Sequence, residues 1–298
     1  MTDASAIYFP VWGWRRHTEV TTFTAASAAS NYPASNLGTL PLANIWESTS
    51  VTSQWIKGNY DKQRGVRLFQ ILRHNFSNAA TFRLRLYEDD VATQAVLGYD
   101  SDTDLTLPGG NQIWPVVYGD EIEWEDDNWF DGKYTDDEKL DTVWNRPIWL
   151  PRIYLAKSWR LDFTDPDNVD TKFRIGMVDS AQGWQSTRGI ARDSARLGFE
   201  ARTRTVTAYG GSDYHNRLTK KRTFEAALPY VPRDEAMGVH YELMRQHDLD
   251  KPFSFVLDPY DTKNWLRTAG LFKHAALTPL QRAGRNYETV QINLKEAF

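Results

Sequence analysis

The 298 residues include no cysteine. That excludes a disulfide framework, thiolate zinc sites, iron–sulfur clusters and a cysteine nucleophile. It fits folding in a reducing cytoplasm. No apolar run approaches the ~18 residues of a membrane-spanning helix, so no membrane span is expected. The opening residues, MTDASAIYFPVWGWRRH, have no basic stretch ahead of an apolar one and do not read as a secretory signal. Histidine is sparse, with six residues at positions 17, 74, 215, 240, 247 and 274, and none falls in an HExxH pattern. His240 and His247 are seven residues apart. That is about two helical turns, too far for an ordinary two-histidine metal pair. GxSxG, Walker and GxGxxG patterns are missing as well. The reading is therefore of a protein with no catalytic residues, no metal and no cofactor.

Aromatics are abundant, at 13% with twelve tryptophans, ten of them in the first 180 residues. Charge is also unevenly placed. Residues 1–180 carry 17 Lys/Arg against 26 Asp/Glu, a net of −9, whereas 181–298 carry 18 against 13, a net of +5. The joint shift predicts two modules, 1–180 and 181–298. Opposite potentials attract across an interface, so such a chain has a built-in means of orienting copies of itself. The basic excess is small, and neither an Arg-rich helix nor an aromatic RNA-binding signature accompanies it. No specific nucleic-acid binding is expected.

Helical periodicity is scarce. Short runs of β-branched and aromatic residues recur between Gly, Pro, Asn and Asp, the pattern of a β-sandwich or barrel. Strands are predicted at Thr21–Ala25, Ser53–Gly58, Val66–His74, Thr81–Tyr87, Ile113–Val117, Tyr154–Phe163 and Phe173–Met177. In TFRLRLY the alternation puts Phe82, Leu84 and Leu86 on one face and Arg83 and Arg85 on the other. The same spacing argument puts Trp159 in the core. Beyond Ser180 the texture turns polar, basic and Thr-rich, and predicts an extended arm with strands at Leu197–Arg202 and Thr203–Tyr209. Further strands are read at Arg222–Ala227, in KPFSFVLDP, where Phe253, Phe255 and Leu257 alternate with Ser254 and Val256, and in YETVQINLKEAF. One helix is predicted at about 233–246, with Pro232, Asp234 and Glu235 suited to its start.

Residues 120–141, DEIEWEDDNWFDGKYTDDEKLD, hold eleven acids against Lys133 and Lys139. This is poor core material and reads as an acidic surface insertion. Its acids suggest two chemical alternatives. One is a pair of carboxylates for glycoside hydrolysis, at Asp126 and Asp127. The other is an oxygen-ligand calcium site from Asp126, Asp127, Asn128 and Asp131, which does not complete an EF-hand loop. A solvated face is the simpler reading of both. Trp12, Trp14, Trp124 and Trp129 fall outside any strand pattern and are the tryptophans read as contact residues.

The segment 31–90 carries a resemblance. Tyr32-Pro33-Ala34-Ser35-Asn36-Leu37, the Trp46-Glu47-Ser48 turn, a strand ending Trp55-Ile56, then His74-Asn75-Phe76-Ser77 and Ala79-Ala80-Thr81 together resemble the discoidin-like, galactose-binding jelly roll. The HN-x-S-x-AAT-x-R-x-R form resembles that of tailed-phage (siphophage) minor tail proteins. YLAKSWRLDFTDPDN and FRIGMVDS look like the closing strands of the same module. TFEAALPYVPRDEAMGVHYELMRQHDLDKPFSFVLDP resembles the strand–helix–strand unit of tail-tip ring proteins, although in distal tail proteins the ring-forming part comes first.

The resemblance implies a mainly β chain, with a jelly-roll β-sandwich followed by a smaller β-rich domain with one helix. It implies a structural role in a virion tail tip or baseplate, in a chain made in the host cytoplasm. The implied partners are a homo-oligomeric ring, the tail tube, the tape measure and the hub, with a host surface glycan as a further ligand. Candidate glycan contacts are Tyr32, Asn36, Asn75, Trp124 and Trp129. Candidate subunit contacts are Trp12, Trp14, Arg202, Arg204, Lys220 and Lys221. Read without a ligand, Asn36 and Asn75 tie down turns through side-chain-to-backbone hydrogen bonds. Glycan binding as the main function, and glycan degradation, stand as alternatives.

Overall fold

The computed structural model describes residues 8–116, 128–130, 132–140, 142–191, 193–216 and 218–297. Two units divide the chain. The sandwich unit comprises Pro10–Gln185 and Ser254–Gly270, and the companion unit comprises Met1–Phe9, Ser186–Phe253 and Leu271–Phe298. The change of unit expected at residue 180 falls at 185, and the chain re-enters the sandwich unit between 254 and 270.

In chain order the strands are β1 (Val11–Trp12), β2 (Thr21–Ala25), β3 (Trp46–Glu47), β4 (Gln54–His74), β5 (Thr81–Tyr87), β6 (Leu97–Asp100), β7 (Asn145–Thr164), β8 (Arg174–Ala181) and β9 (Trp184–Gln185). They continue as β10 (Arg196–Glu200), β11 (Arg204–Thr207), β12 (Asp213–Asn216), β13 (Lys221–Pro232), β14 (Phe253–Val256), β15 (Ala269–His274), β16 (Gln281–Arg282) and β17 (Tyr287–Glu296). The chain is mainly β. Among the described residues no helix is long and apolar enough to cross a membrane.

The sandwich is organised by two long antiparallel strands, β4 and β7, whose pairing shifts register between Asn59 and Arg64 and again between Val66 and Leu68. These irregularities bend both strands, so each serves two layers. In the first layer Gln54–Asn59 pair with Ser158–Phe163, flanked by β2 on one side and by β5 and β6 on the other. In the second layer Leu68–Leu72 lie between Asn145–Trp149 and β8, with β3 beyond β8. Between the layers pack Ile56, Tyr60, Phe82, Leu84, Leu86, Trp159, Leu161 and Phe163 from the first, and Phe69, Ile71, Ile148, Ile175 and Val178 from the second. This is a jelly-roll-like β-sandwich, and Trp159 is fully buried at its centre, as its spacing predicts. The Trp159 ring meets Phe23 and Phe69 edge-on at 5.8 and 5.6 Å.

The outer face of the second layer is also covered. Leu68 and Trp149 form a small apolar cluster with Val11, Val256, Trp265 and Ala269. Gln70 Nε2 reaches the Phe255 carbonyl at 3.3 Å, and Asn145 Nδ2 donates to the Ala269 carbonyl at 2.6 Å. On the same face Asp179 is buried; Arg16 Nε donates to it at 2.5 Å, and the hydroxyls of Thr18 and Ser254 donate as well. Residues 254–270 are therefore a strip that closes this face, which is why they belong to the sandwich. The strict alternation expected in KPFSFVLDP is not found, because Ser254 and Val256 are buried along with Phe253 and Phe255. Ile113 and Trp114 also depart from expectation. They lie in a buried loop, not a strand, with Trp114 Nε1 donating to the Phe76 carbonyl at 3.0 Å.

In the companion unit the sheet order is β10–β13–β17–β15, with β16 beside β17. Phe224, Ala226 and Leu228 of β13 oppose Leu294, Ile292 and Val290 of β17 and form its buried face. A buried Arg222–Glu296 ion pair (2.6 Å) ends that row. The helix lies at 233–246 as predicted, but its middle, Ala236–Tyr241, is a π-helix. Ala236, His240, Leu243 and His247 are buried, whereas Met237 is exposed. β11 and β12 form a separate two-stranded sheet.

Candidate functional site

One end of the sandwich gathers polar side chains from three loops and from strands β3 and β8. Asp165 fixes the first of them. It accepts from the Ser77 backbone N–H at 2.9 Å and from the Ser77 hydroxyl, and Asn168 Nδ2 bridges it to the Asn75 carbonyl at 3.1 and 3.2 Å. Asn75 is spent on its surroundings. Its Nδ2 donates to Asp170 Oδ2 and the Lys172 carbonyl, both at 2.9 Å, and its Oδ1 accepts from the Arg174 backbone N–H at 2.8 Å. Asn36 Nδ2 likewise donates to the Ile45 carbonyl at 2.8 Å. Both asparagines do what the ligand-free reading assigned them, tying turns to the scaffold.

The charged part of this end centres on Glu47, in β3. Its largely buried carboxylate meets Lys172 Nζ at 3.0 Å and Arg174 Nε at 2.8 Å, and Arg174 Nη1 also reaches Asp170 at 3.2 Å. Arg174 and then Lys172, as hydrogen-bond donors, hold the Glu47 carboxyl below its ordinary range. Lys172, Arg174 and Asp170 are all partly exposed. Tyr32 stands at the edge, exposed, with its carbonyl accepting from the Glu47 N–H at 3.4 Å. The result is an aromatic face beside a rim of one ammonium, one guanidinium and two carboxylates. Such a rim offers paired donors and acceptors to a hydroxyl-rich ligand. It holds no nucleophile paired with a base.

The structure brings together Tyr32 and Asn75 from the sequence candidates, and adds Glu47, Asp170, Lys172 and Arg174. No local pattern marks those four, because the chain brings them together from positions 47 and 170–174. Trp129 lies in the turn at 128–130 and is about half exposed. Trp124 falls outside the described residues, as do Asp126, Asp127 and Asp131 of the hydrolase and calcium alternatives. Asn128 is described, and its Nδ2 donates to the Lys133 carbonyl at 2.8 Å. The two lysines of the acidic segment anchor it. Lys133 donates to the Asn78 carbonyl, and Lys139 Nζ donates to Asn78 Oδ1 at 2.6 Å with its charge 4.7 Å from the Trp114 ring centre.

A second polar surface covers the outer face of the first layer. Arg83 and Arg85 point outward as the alternation predicts, pairing with Asp100 and Asp162 at 2.5 Å each. Trp55 lies on the same face between Lys57 (4.7 Å) and Arg160 (5.2 Å). The spacing of Trp55 and Lys57 about the buried Ile56 is a signal that could have found it.

The subunit-contact candidates divide. Trp12 is buried against Phe255, with ring centres 5.0 Å apart, and Trp14 is buried as well, so neither ring is exposed. The burial of Trp12 follows from β1 and its continuation pairing with residues 254–256. Lys221 is half-buried and donates to the Ala297 carbonyl at 3.0 Å. Arg202, Arg204 and Lys220 are exposed.

Among solved structures the chain is similar to a family 32 carbohydrate-binding module of NanJ from Clostridium perfringens in complex with galactose. Identity is 12% and the TM-score 0.35, over 57% of this chain and 98% of that one. A fucose-binding module from Streptococcus pneumoniae is similar at 9% identity and TM-score 0.36, over 57% and 96%. So is the lectin domain of lectinolysin complexed with Lewis b, at 8% and 0.36, over 56% and 97%. No family model and no curated protein matches the chain.

Proposed function

We propose that this protein is a structural, non-enzymatic component of a tailed-phage tail tip. In this reading several copies surround the tail axis and meet the tail tube, tape measure and hub. The carrying observation is the β11–β12 arm, exposed along both strands, on a chain whose long strands β4, β7, β13 and β17 each bury a face. A two-stranded sheet with both faces in water is marginal by itself. A subunit of an assembly has a use for such an element, because strands present main-chain and side-chain contacts to neighbours. The resemblance of HNFSNAATFRLRLY to minor tail proteins points the same way. The conspicuous buried charges, Asp179, Glu47 and Glu296, are engaged by basic partners within the fold. Locating the chain in purified particles by electron microscopy tests the proposal. Density or label at the tail tip is the expected result, and a chain absent from the tail tip defeats it.

A second reading rests on the Tyr32–Glu47–Arg174 rim, which suits a host surface glycan. Calorimetry of the full chain against a panel of host glycans is expected to show binding at up to millimolar concentration that Tyr32→Ala weakens. Absence of heat with every sugar removes this reading and leaves the structural one intact.

A further inference from the structure

The outer face of the first sandwich layer carries more positive charge than its own acids neutralise. Strand register sets the arrangement. Thr24, Lys57, Arg160, Arg85 and Asp100 are successive paired residues across β2, β4, β7, β5 and β6. Trp55, Asp162 and Arg83 make the next row. Directly paired residues share a sheet face, and like charges so placed repel. Lys57, Arg160 and Arg85 therefore stand side by side as three neighbouring cations.

The acids on this face are unevenly shared. Arg83 takes both Asp100 (2.5 Å) and Asp102 (3.0 Å). Asp162 serves Arg85 (2.5 Å) and Arg160 (2.6 Å) together, and Arg85 Nε is still left without a hydrogen-bond partner among the described residues. Lys57 forms no ion pair among the described residues, so four cations meet three acids and the excess lies at Lys57. Burial, then the Arg160 charge, with Arg85 adding to it, holds the Lys57 ammonium below its ordinary range, and Asp162 offsets this only in part. Trp55 stands beside the uncompensated charge and is partly exposed, with Lys57 Nζ 4.7 Å and the Arg160 guanidinium 5.2 Å from its ring centre. The exposed Thr22 and Thr24 lie on the same face.

We propose that this face binds an acidic sugar, a hydroxylated ring bearing one carboxylate. The carboxylate meets Lys57 and Arg160 through charge-assisted hydrogen bonds, which relieves the repulsion between them. The indole of Trp55 supplies an apolar wall for the ring, and the Thr24 hydroxyl exchanges hydrogen bonds with the ring hydroxyls. A single excess cation suits a singly charged ligand. A polyanion such as single-stranded nucleic acid needs a groove of cations along its backbone, and along these rows it meets Asp162, Asp100 and Asp102 instead. The site shares no residue with the rim around Glu47, and it stands whether or not the chain belongs to a tail tip.

Calorimetry of the full chain with galacturonate and with galactose, which differ at the carboxylate, tests the site. Galacturonate is expected to bind at millimolar concentration, roughly fivefold or more tighter than galactose, and to weaken as salt screens the charges. Lys57→Gln and Trp55→Ala are each expected to weaken it to a similar degree. Lys57 is partly exposed and has no ion-pair partner among the described residues, so Lys57→Gln should melt like the wild type and report on binding alone. Absence of heat with galacturonate, or equal affinity for the two sugars, overturns the proposal. Galacturonate binding that Tyr32→Ala abolishes and Lys57→Gln leaves unchanged belongs to the rim and overturns it too. An oligothymidylate that binds more tightly than galacturonate and is lost in Lys57→Gln makes the face a polyanion surface and removes the acidic sugar as its ligand. Galactose binding lost in Tyr32→Ala, beside galacturonate binding lost in Lys57→Gln, upholds two separate sites.

Discussion

At the scale of single residues, two positions concentrate the constraints of the sandwich. Gly58 faces Trp159 across the β4–β7 pair, and a Cβ at residue 58 would sit 2.2 Å from the indole. Trp159 is wedged between Phe23 and Phe69, so the ring has little room to withdraw. Gly58→Ala is expected to destabilise the protein by about 1–3 kcal/mol, the usual cost of overpacking. Urea unfolding of Gly58→Ala, Trp159→Leu and the double variant checks the cause. If the clash is responsible, the two changes are less than additive. Asp179 is the other position. It is the buried partner of Arg16, which is itself nearly enclosed. Asp179→Asn keeps the shape and removes the charge. It is expected to cost roughly 3–5 kcal/mol, since it leaves a desolvated guanidinium without its counter-charge. A loss below about 1 kcal/mol in the same unfolding measurement would show that the pair behaves as a surface one.

At the scale of elements, the helix at 233–246 and strand β15 enclose imidazoles. His240, on the π-helical turn, and His274, on β15, are buried, and His247 lies on the helix's buried side. The Phe253 ring centre is 5.5 Å from that of His247 and 5.1 Å from that of His274. Burial, reinforced by His274, pushes His240 down to about 3. Burial and His247 push His274 down to about 4, against a small opposing effect of Asp248. Both folded values lie below the unfolded 6.5. Their contribution to stability is therefore complete above pH 6.5 and is lost as pH falls from there toward 4 and then 3. Each imidazole contributes up to about 1.4 kcal/mol per pH unit in that window. Stability measured between pH 6.5 and 5 is expected to fall more steeply in the wild type than in His240→Asn/His274→Asn. His240 or His274 resonances that titrate near 6.5 in the folded protein would contradict this.

The elements were legible in the sequence where one face meets water. β5 shows this, because its arginines alternate with leucines. β4 reads as two strands because the polar stretch around Asp61–Arg64 interrupts the alternation where the strand changes layers. The first part of β7 is hidden for another reason. Asn145–Leu150 is buried on both faces, so it shows no period of two.

At the scale of the whole molecule, the charge split between halves is visible in composition, but the path of the chain is not. The strip 254–270 belongs to the sandwich because Val256, Trp265 and Ala269 cover Leu68 and Trp149. That cover depends on tertiary packing, which no local pattern announces. The rim at the sandwich end is hidden likewise. Asn36 and Asn75 could be read as turn residues, whereas Glu47 gains meaning only once β3 lies beside β8. A fragment ending at residue 185 is expected to expose Leu68, Gln70 and Trp149. It should bind hydrophobic dye, aggregate and melt well below the full chain, and joining 254–270 to residue 185 through a flexible linker should restore a cooperative transition. A fragment that melts like the full chain would show that the strip is dispensable. The same strip bears on synthesis. Residues 254–270 leave the ribosome only after Ser186–Phe253 of the companion unit, so the domain that begins first cannot be finished first. Until then the nascent polypeptide holds the apolar sheet face of Leu68 and Trp149 uncovered.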